Sequence, residues 1–133
     1  MIPLTVRSHY SLMWGTDSPA AICRAARRMG YDRIALTDTD NLYGVLKFIS
    51  ACHEEGLTPI VGAEITDPNK RDRAVCLVKD AAGYANLCRL ITRRHRDPAF
   101  DLSTSLPHLS TGLLVLVSHA GLLAAWHRAG VHT

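Results

Sequence analysis

The sequence predicts an α/β fold with a mainly parallel sheet and outer helices. Three observations carry this. Short apolar runs recur along the chain, each too brief for a buried helix. Amphipathic stretches at helical spacing lie between them, and helix start and stop residues mark their ends. Such alternation is the pattern of βαβ units.

The elements follow in order. Residues 4–6 form a short apolar start that reads as a strand. Ser18 and Pro19 suit an N-cap and a first helical position, so a helix is expected over 19–29. Ile22, Ala25, Ala26 and Met29 share its apolar face, and Gly30 ends it. Residues 33–37 form the next strand. A second helix is expected over 42–55, starting near Asp40 or Asn41, with Leu42, Val45, Leu46, Ile49 and Cys52 facing inward and Gly56 as its stop. A strand over 59–64 follows, then a polar turn at Pro68-Asn69 and a strand over 74–78. Asp80 can cap a helix over 82–94, with Tyr84, Leu87, Cys88 and Ile91 on one face. Its basic end suits the negative pole of the helix dipole. Residues 97–111 read as a loop with Pro98 and Pro107. A strand over 113–117 and a final helix over 120–128 complete the chain.

Composition bounds the function. The 133 residues are 47% hydrophobic and 20% charged, so the chain is globular rather than disordered. Apolar runs such as 113–117 are far short of the ~20 residues a membrane span needs. Arg7, Ser8 and His9 interrupt any signal-peptide pattern, so a cytoplasmic protein with no membrane partner is expected. Lys and Arg number 15 against 12 acidic residues, a net charge of +3 that is compatible with an anionic partner such as DNA. The four cysteines form no C-x-x-C pair and sit in apolar surroundings, as buried thiols do. No zinc-site spacing is present.

In parallel α/β sheets the chemistry lies at the carboxyl ends of the strands. The residues there are Arg7, His9, Asp38 to Asp40, Glu64, Ser118 and His119. Ser8, Ser11 and Ser118 have no His and acid arranged as a triad, and His119 and His127 are spaced too widely to pair on a helix. Isolated Gly44 and Gly62 make no phosphate loop.

Four segments together resemble one family: VRSHYSL at 6–12, ALTDTDNLYG at 35–44, PIVGAE at 59–64 and LVKDAAGYANL at 77–87. In this order they resemble the PHP (polymerase and histidinol phosphatase) domain, in the form found at the amino end of bacterial DNA polymerase III alpha subunits. The resemblance runs from about residue 4 to about 119, and the GYANL segment favours the polymerase branch. It implies part of a distorted (β/α)7 barrel, with residues 1–133 forming a single partial PHP domain about half the usual length. It also implies a metal cluster of His, Asp, Glu and sometimes Cys at the strand ends.

The ligand positions implied by the resemblance are largely replaced. The first His-x-His falls on Thr5 and Arg7, the next acidic position on Trp14, and the His after the Thr-Asp pair on Thr39. The His opening the fourth strand falls on Arg73, and the late Cys or Ser position near Ser118. Glu64 matches a ligand, with Asp38 a neighbouring carboxylate and His9 beside the first motif. Arg7 and Arg73 bring positive charge where cations should bind, and can instead pair with Asp38 and Glu64. The expectation is a scaffold module of a DNA polymerase III alpha-type protein, in replication or error-prone synthesis, with a degenerate site and no metal. The alternatives are a zinc-, manganese- or magnesium-dependent phosphoesterase and a stand-alone binding protein. Expected partners are the rest of a polymerase chain or other replication subunits, DNA through Arg93, Arg94 and Arg96, or a second copy through an exposed sheet edge.

Overall fold

The computed structural model describes all 133 residues. Nine elements appear in the order α1 (Pro19–Arg28), β1 (Arg33–Thr39), α2 (Val45–Glu55), β2 (Thr58–Thr66), β3 (Arg73–Val78), α3 (Ala81–Arg96), α4 (Leu102–His108), β4 (Leu113–Leu116) and α5 (Ala120–Arg128). The four strands form one open sheet in the order β1-β2-β3-β4. Two compact units divide the chain, residues 1–63 and 64–133. No helix is long and apolar enough to cross a membrane.

The amino-terminal unit is a βαβ arrangement. Ser18 caps α1 by accepting from Ala21 N, and Pro19 stands at its start. β1 and β2 are neighbours joined through α2. Thr58 N donates to Asp32 O, so both strands begin at the same end and run parallel. Gly56 closes α2 in the left-handed region at φ 68°, where a side chain would be strained. The core joins Cys23 and Ala26 of α1, Ile34 and Leu36 of β1, and Phe48, Ala51 and Cys52 of α2.

Residues 4–6 are not a regular strand. Ala35 N donates to Pro3 O and Thr37 N to Val6 O, so the segment runs beside β1 in the same sense. The step is two residues on β1 and three on the partner, and Pro3 has no N–H to give, so a ladder cannot extend. The start of α2 also differs. Asp40 has φ 55° and Asn41 builds a turn, accepting from Tyr43 N, which delays the helix to Val45. Its buried residues are Val45, Phe48, Ala51 and Cys52, while Leu46 is 81% exposed. On α1 the buried residues are Pro19, Cys23 and Ala26, with Met29 exposed.

The carboxy-terminal unit holds the end of β2, then β3, β4 and three helices. The turn 67–72 is closed by Asp67 N donating to Asp72 O. A connection this short makes β2 and β3 an antiparallel hairpin, since a parallel return needs a dozen residues or more. β3 and β4 are also antiparallel, from Val75 opposite Leu116 to Val78 opposite Leu113. The sheet is therefore mixed, not mainly parallel. Both antiparallel pairs lie in this unit, and α4 occupies part of the 97–111 segment, which the sequence predicts as a loop.

Asp101 starts α4 by accepting from Thr104 N, and Leu102 and Leu106 are fully buried. Asp67 fixes α4 to the hairpin by accepting from Leu102 N at 2.8 Å. Asp80 caps α3, whose buried stripe is Gly83, Leu87 and Leu90; Tyr84 is exposed. Gly83 is obligatory, since a Cβ there would lie 1.9 Å from Gly112 O. Trp126 of α5 is buried and its Nε1 donates to Ser103 O. Val115 N donates to His132 O, so the chain end pairs along β4.

Candidate functional site

Asp38 lies near the end of β1 and is 2% exposed. Three donors close on its carboxylate. Oδ1 accepts from Ser8 N at 2.7 Å and from Ser11 Oγ at 2.6 Å. Oδ2 accepts from Ser8 Oγ at 2.7 Å. Both serines are buried. Ser11 Oγ in turn accepts from Thr39 N at 3.0 Å, and Ser8 Oγ accepts from Tyr10 N at 3.2 Å. Donors to an ionised group are the stronger kind of hydrogen bond, so this network ties residues 8–11 firmly to β1.

The loop around the network is tight. Trp14 N and Gly15 N both donate to Ser11 O. A Cβ on Gly15 would lie 2.0 Å from Ser8 O, so only glycine fits. Met13 takes φ 65°, a conformation that costs a non-glycine residue energy. Asn41 Nδ2 donates to Tyr10 O and Thr39 O, joining this loop to the turn before α2. Tyr10 packs against Gly44, with Lys47 Nζ 5.8 Å from its ring centroid.

Arg7 is half-buried, and its guanidinium carbon lies 5.5 Å over the Trp14 ring. The donors to Asp38 are the serines. Thr5 is exposed, and Trp14 is 64% exposed. His9 is exposed with its ring 4.4 Å from that of Tyr10.

In the carboxy-terminal unit, Glu64 is 4% exposed on β2 and pairs with Arg73 Nη1 at 3.7 Å. The Arg73 side chain is 44% exposed. Ser118 is exposed ahead of α5, whose N-cap His119 accepts from Leu122 N. Arg93 and Arg96 are exposed on α3. Arg94 is tied to the sheet, with Nε donating to Thr66 O at 2.6 Å and Nη2 to Thr66 Oγ1 at 3.0 Å.

A hydrolytic metal centre of two or three ions needs several imidazoles and carboxylates around cations about 3.5–4 Å apart. These residues do not fit one. No group of three or more His, Cys, Asp and Glu side chains is placed to hold a metal ion. Asp38 directs both oxygens at serine donors, and Glu64 faces a guanidinium. The thiols offer nothing in their place. All four cysteines are free, and burial pushes Cys76 up to about 12. Burial, then the hydrogen bond with Cys23, pushes Cys52 to about 12 as well. Neutral buried thiols are poor ligands.

Ser8 and Ser11 have no His and acid arranged with them as a hydrolase triad; they hold Asp38 from 30 and 27 residues away.

The fold and this strand-end carboxylate define an α/β protein with an open, mixed four-stranded sheet and a buried, serine-held aspartate at the end of its first strand. The sequence pattern of the PHP domain matches residues 3–129, so the chain belongs to the PHP domain family. It is similar to the N-terminal region of bacterial replicative and error-prone DNA polymerases. An error-prone DNA polymerase of Pseudomonas aeruginosa is 38% identical over 128 residues, covering 91% of this chain and 12% of that protein. A DNA polymerase III alpha subunit of Buchnera aphidicola is 35% identical over 100 residues, covering 71% and 9%. The chain thus spans about a tenth of the length of these relatives. Among solved structures, a proposed metal-dependent phosphoesterase from Bifidobacterium adolescentis shares the fold, with TM-score 0.63 and 15% identity over 98% of this chain and 74% of that one.

Proposed function

We propose that the chain is a PHP module of a DNA polymerase III alpha-type protein that serves as a scaffold and does not itself catalyse hydrolysis. The observation that carries this is the Asp38 network: a carboxylate at a strand end on which the family's fold would centre a metal is closed by three protein donors. Nucleotide addition would belong to other parts of the polymerase, and this module would contribute packing surface to the polymerase chain or to other replication subunits. The similarity to whole polymerases supports the setting, and the donor set supports the scaffold role.

Elemental mass spectrometry on protein purified without chelator tests it. Zinc, manganese and magnesium should all be far below one ion per chain, and Asp38→Ala and Glu64→Ala should leave that content unchanged. Two stoichiometric ions per chain, or metal-dependent cleavage of a phosphodiester that Glu64→Ala abolishes, would overturn the scaffold reading.

A further inference from the structure

Two of the four thiols meet in the core of the amino-terminal unit. Cys23 of α1 and Cys52 of α2 are both fully buried, and their Sγ atoms lie 3.5 Å apart. A disulfide needs sulfurs at about 2.05 Å, so this pair has about 1.5 Å left to close. Room for that approach exists beside α1. A cleft of about 280 Å³ is lined by Ile22, Ala25, Ala26 and Met29 of the helix, with Val6 and Ile34. Val6, Ile22, Ala26 and Ile34 also belong to the cluster packed with the two thiols. One side of α1 is thus less than close-packed, which lets the helix shift and brings solvent near this core.

The two thiols are not equivalent. Burial pushes the Cys23 thiol up, and the hydrogen bond with Cys52 pulls it back. At Cys52 the same bond adds to burial, and the thiol is pushed up to about 12. Cys23 is therefore the sulfur that ionises first and attacks, and Cys52 is the one that resolves. We propose that Cys23 and Cys52 form a redox-sensitive pair that a peroxide closes into a disulfide, locking α1 to α2. In the first step a bond forms between Cys23 Sγ and one peroxide oxygen. The O–O bond breaks, and the other oxygen leaves with the thiol proton as water. The product is a sulfenic acid. In the second step Cys52 Sγ attacks that sulfur, the S–O bond breaks, and the hydroxyl leaves with the Cys52 proton as water. Together the thiols lose two electrons and two protons, and the peroxide is reduced to two waters. Burial makes the reaction slow, because it waits on local opening of α1, and a dithiol reverses it. This pair is independent of the scaffold reading: metal found in the protein would defeat that reading and leave this one standing.

The test uses the full chain carrying Cys88→Ser, which removes the one thiol that is not fully buried. After long exposure to hydrogen peroxide under native conditions, the intact mass should fall by two hydrogens per chain. Peptide mapping should join the Cys23 and Cys52 peptides. Cys76, which is just as buried but has no second thiol hydrogen-bonded to it, should stay reduced. The melting temperature should rise, since the bond closes a loop between positions 29 residues apart in the unfolded chain. Dithiothreitol should return both mass and melting temperature to their starting values. Cys52→Ser in the same background should halt at the sulfenic acid, captured on Cys23 by dimedone. The mass map needs no buried serine, so it decides the matter even where that variant folds poorly. Three results would overturn the proposal. One is a Cys23–Cys52 pair still reduced after peroxide has oxidised Cys88 in the parent chain. Another is a disulfide that forms only in urea. The third is a disulfide that lowers the melting temperature, which would make it a strained lesion and not a lock.

Discussion

Asp38 in the amino-terminal unit and Glu64 in the carboxy-terminal unit are both buried strand carboxylates, but their surroundings differ in kind. Asp38 is held by neutral donors, two hydroxyls and a backbone N–H, all within 2.7 Å. Glu64 faces a guanidinium at 3.7 Å whose side chain is nearly half exposed. The first arrangement orders a loop, because its donors come from residues that would otherwise be unconstrained. The second is a partly solvated ion pair, which water and salt weaken. The comparison teaches that two buried strand carboxylates can be satisfied in opposite ways. One is an internal fastener, and the other a counter-charge to an arginine.

Three measurements sharpen or break this contrast. The largest effect is expected from Asp38→Ala, which leaves the buried hydroxyls of Ser8 and Ser11 and the Ser8 N–H without their acceptor. Urea unfolding should show a loss of about 3 kcal/mol. Proteolysis should then cut near Met13. A loss below about 1 kcal/mol would place Asp38 on the same footing as a surface ion pair. Glu64→Gln keeps the shape and removes the charge. It should cost at most about 1 kcal/mol, and the cost should shrink in high salt. A salt-independent loss as large as that of Asp38→Ala would erase the distinction.

The smallest effect concerns Asp101, which caps α4 and is ion-paired with Lys70. The Lys70 ammonium, then the Ser103 hydroxyl, hold its carboxyl well below the usual carboxylate range. A lowered folded-state value stabilises the native form above the unfolded value of about 3.9, and that contribution is lost as pH falls toward the folded value. Asp101→Asn keeps a capping oxygen and removes the charge. Thermal melts should therefore show the parent more stable than this variant at pH 7, and the difference should shrink progressively as pH falls below about 4 toward the folded-state value. A difference unchanged at low pH would assign the effect to capping geometry alone.

The sequence by itself determined what depends on near neighbours. Ser18, Pro19, Gly30, Gly56 and Asp80 mark helix ends through contacts a few residues away; α1 and α3 fall close to where these caps put them, and Gly56 ends α2. Apolar runs placed β1 to β4 within a residue or two. Tertiary structure decided what depends on distant partners. Phe48 faces the core and Leu46 faces water because of what packs against α2, although both are apolar. α4 forms from a Ser- and Thr-rich stretch of weak helical propensity, containing Pro107, because Asp67 satisfies its first N–H and Leu102 and Leu106 are buried. The role of Ser8 and Ser11 could be read only from the fold, because a hydroxyl's function depends on which acceptor it meets, and theirs lies on a strand about thirty residues along the chain.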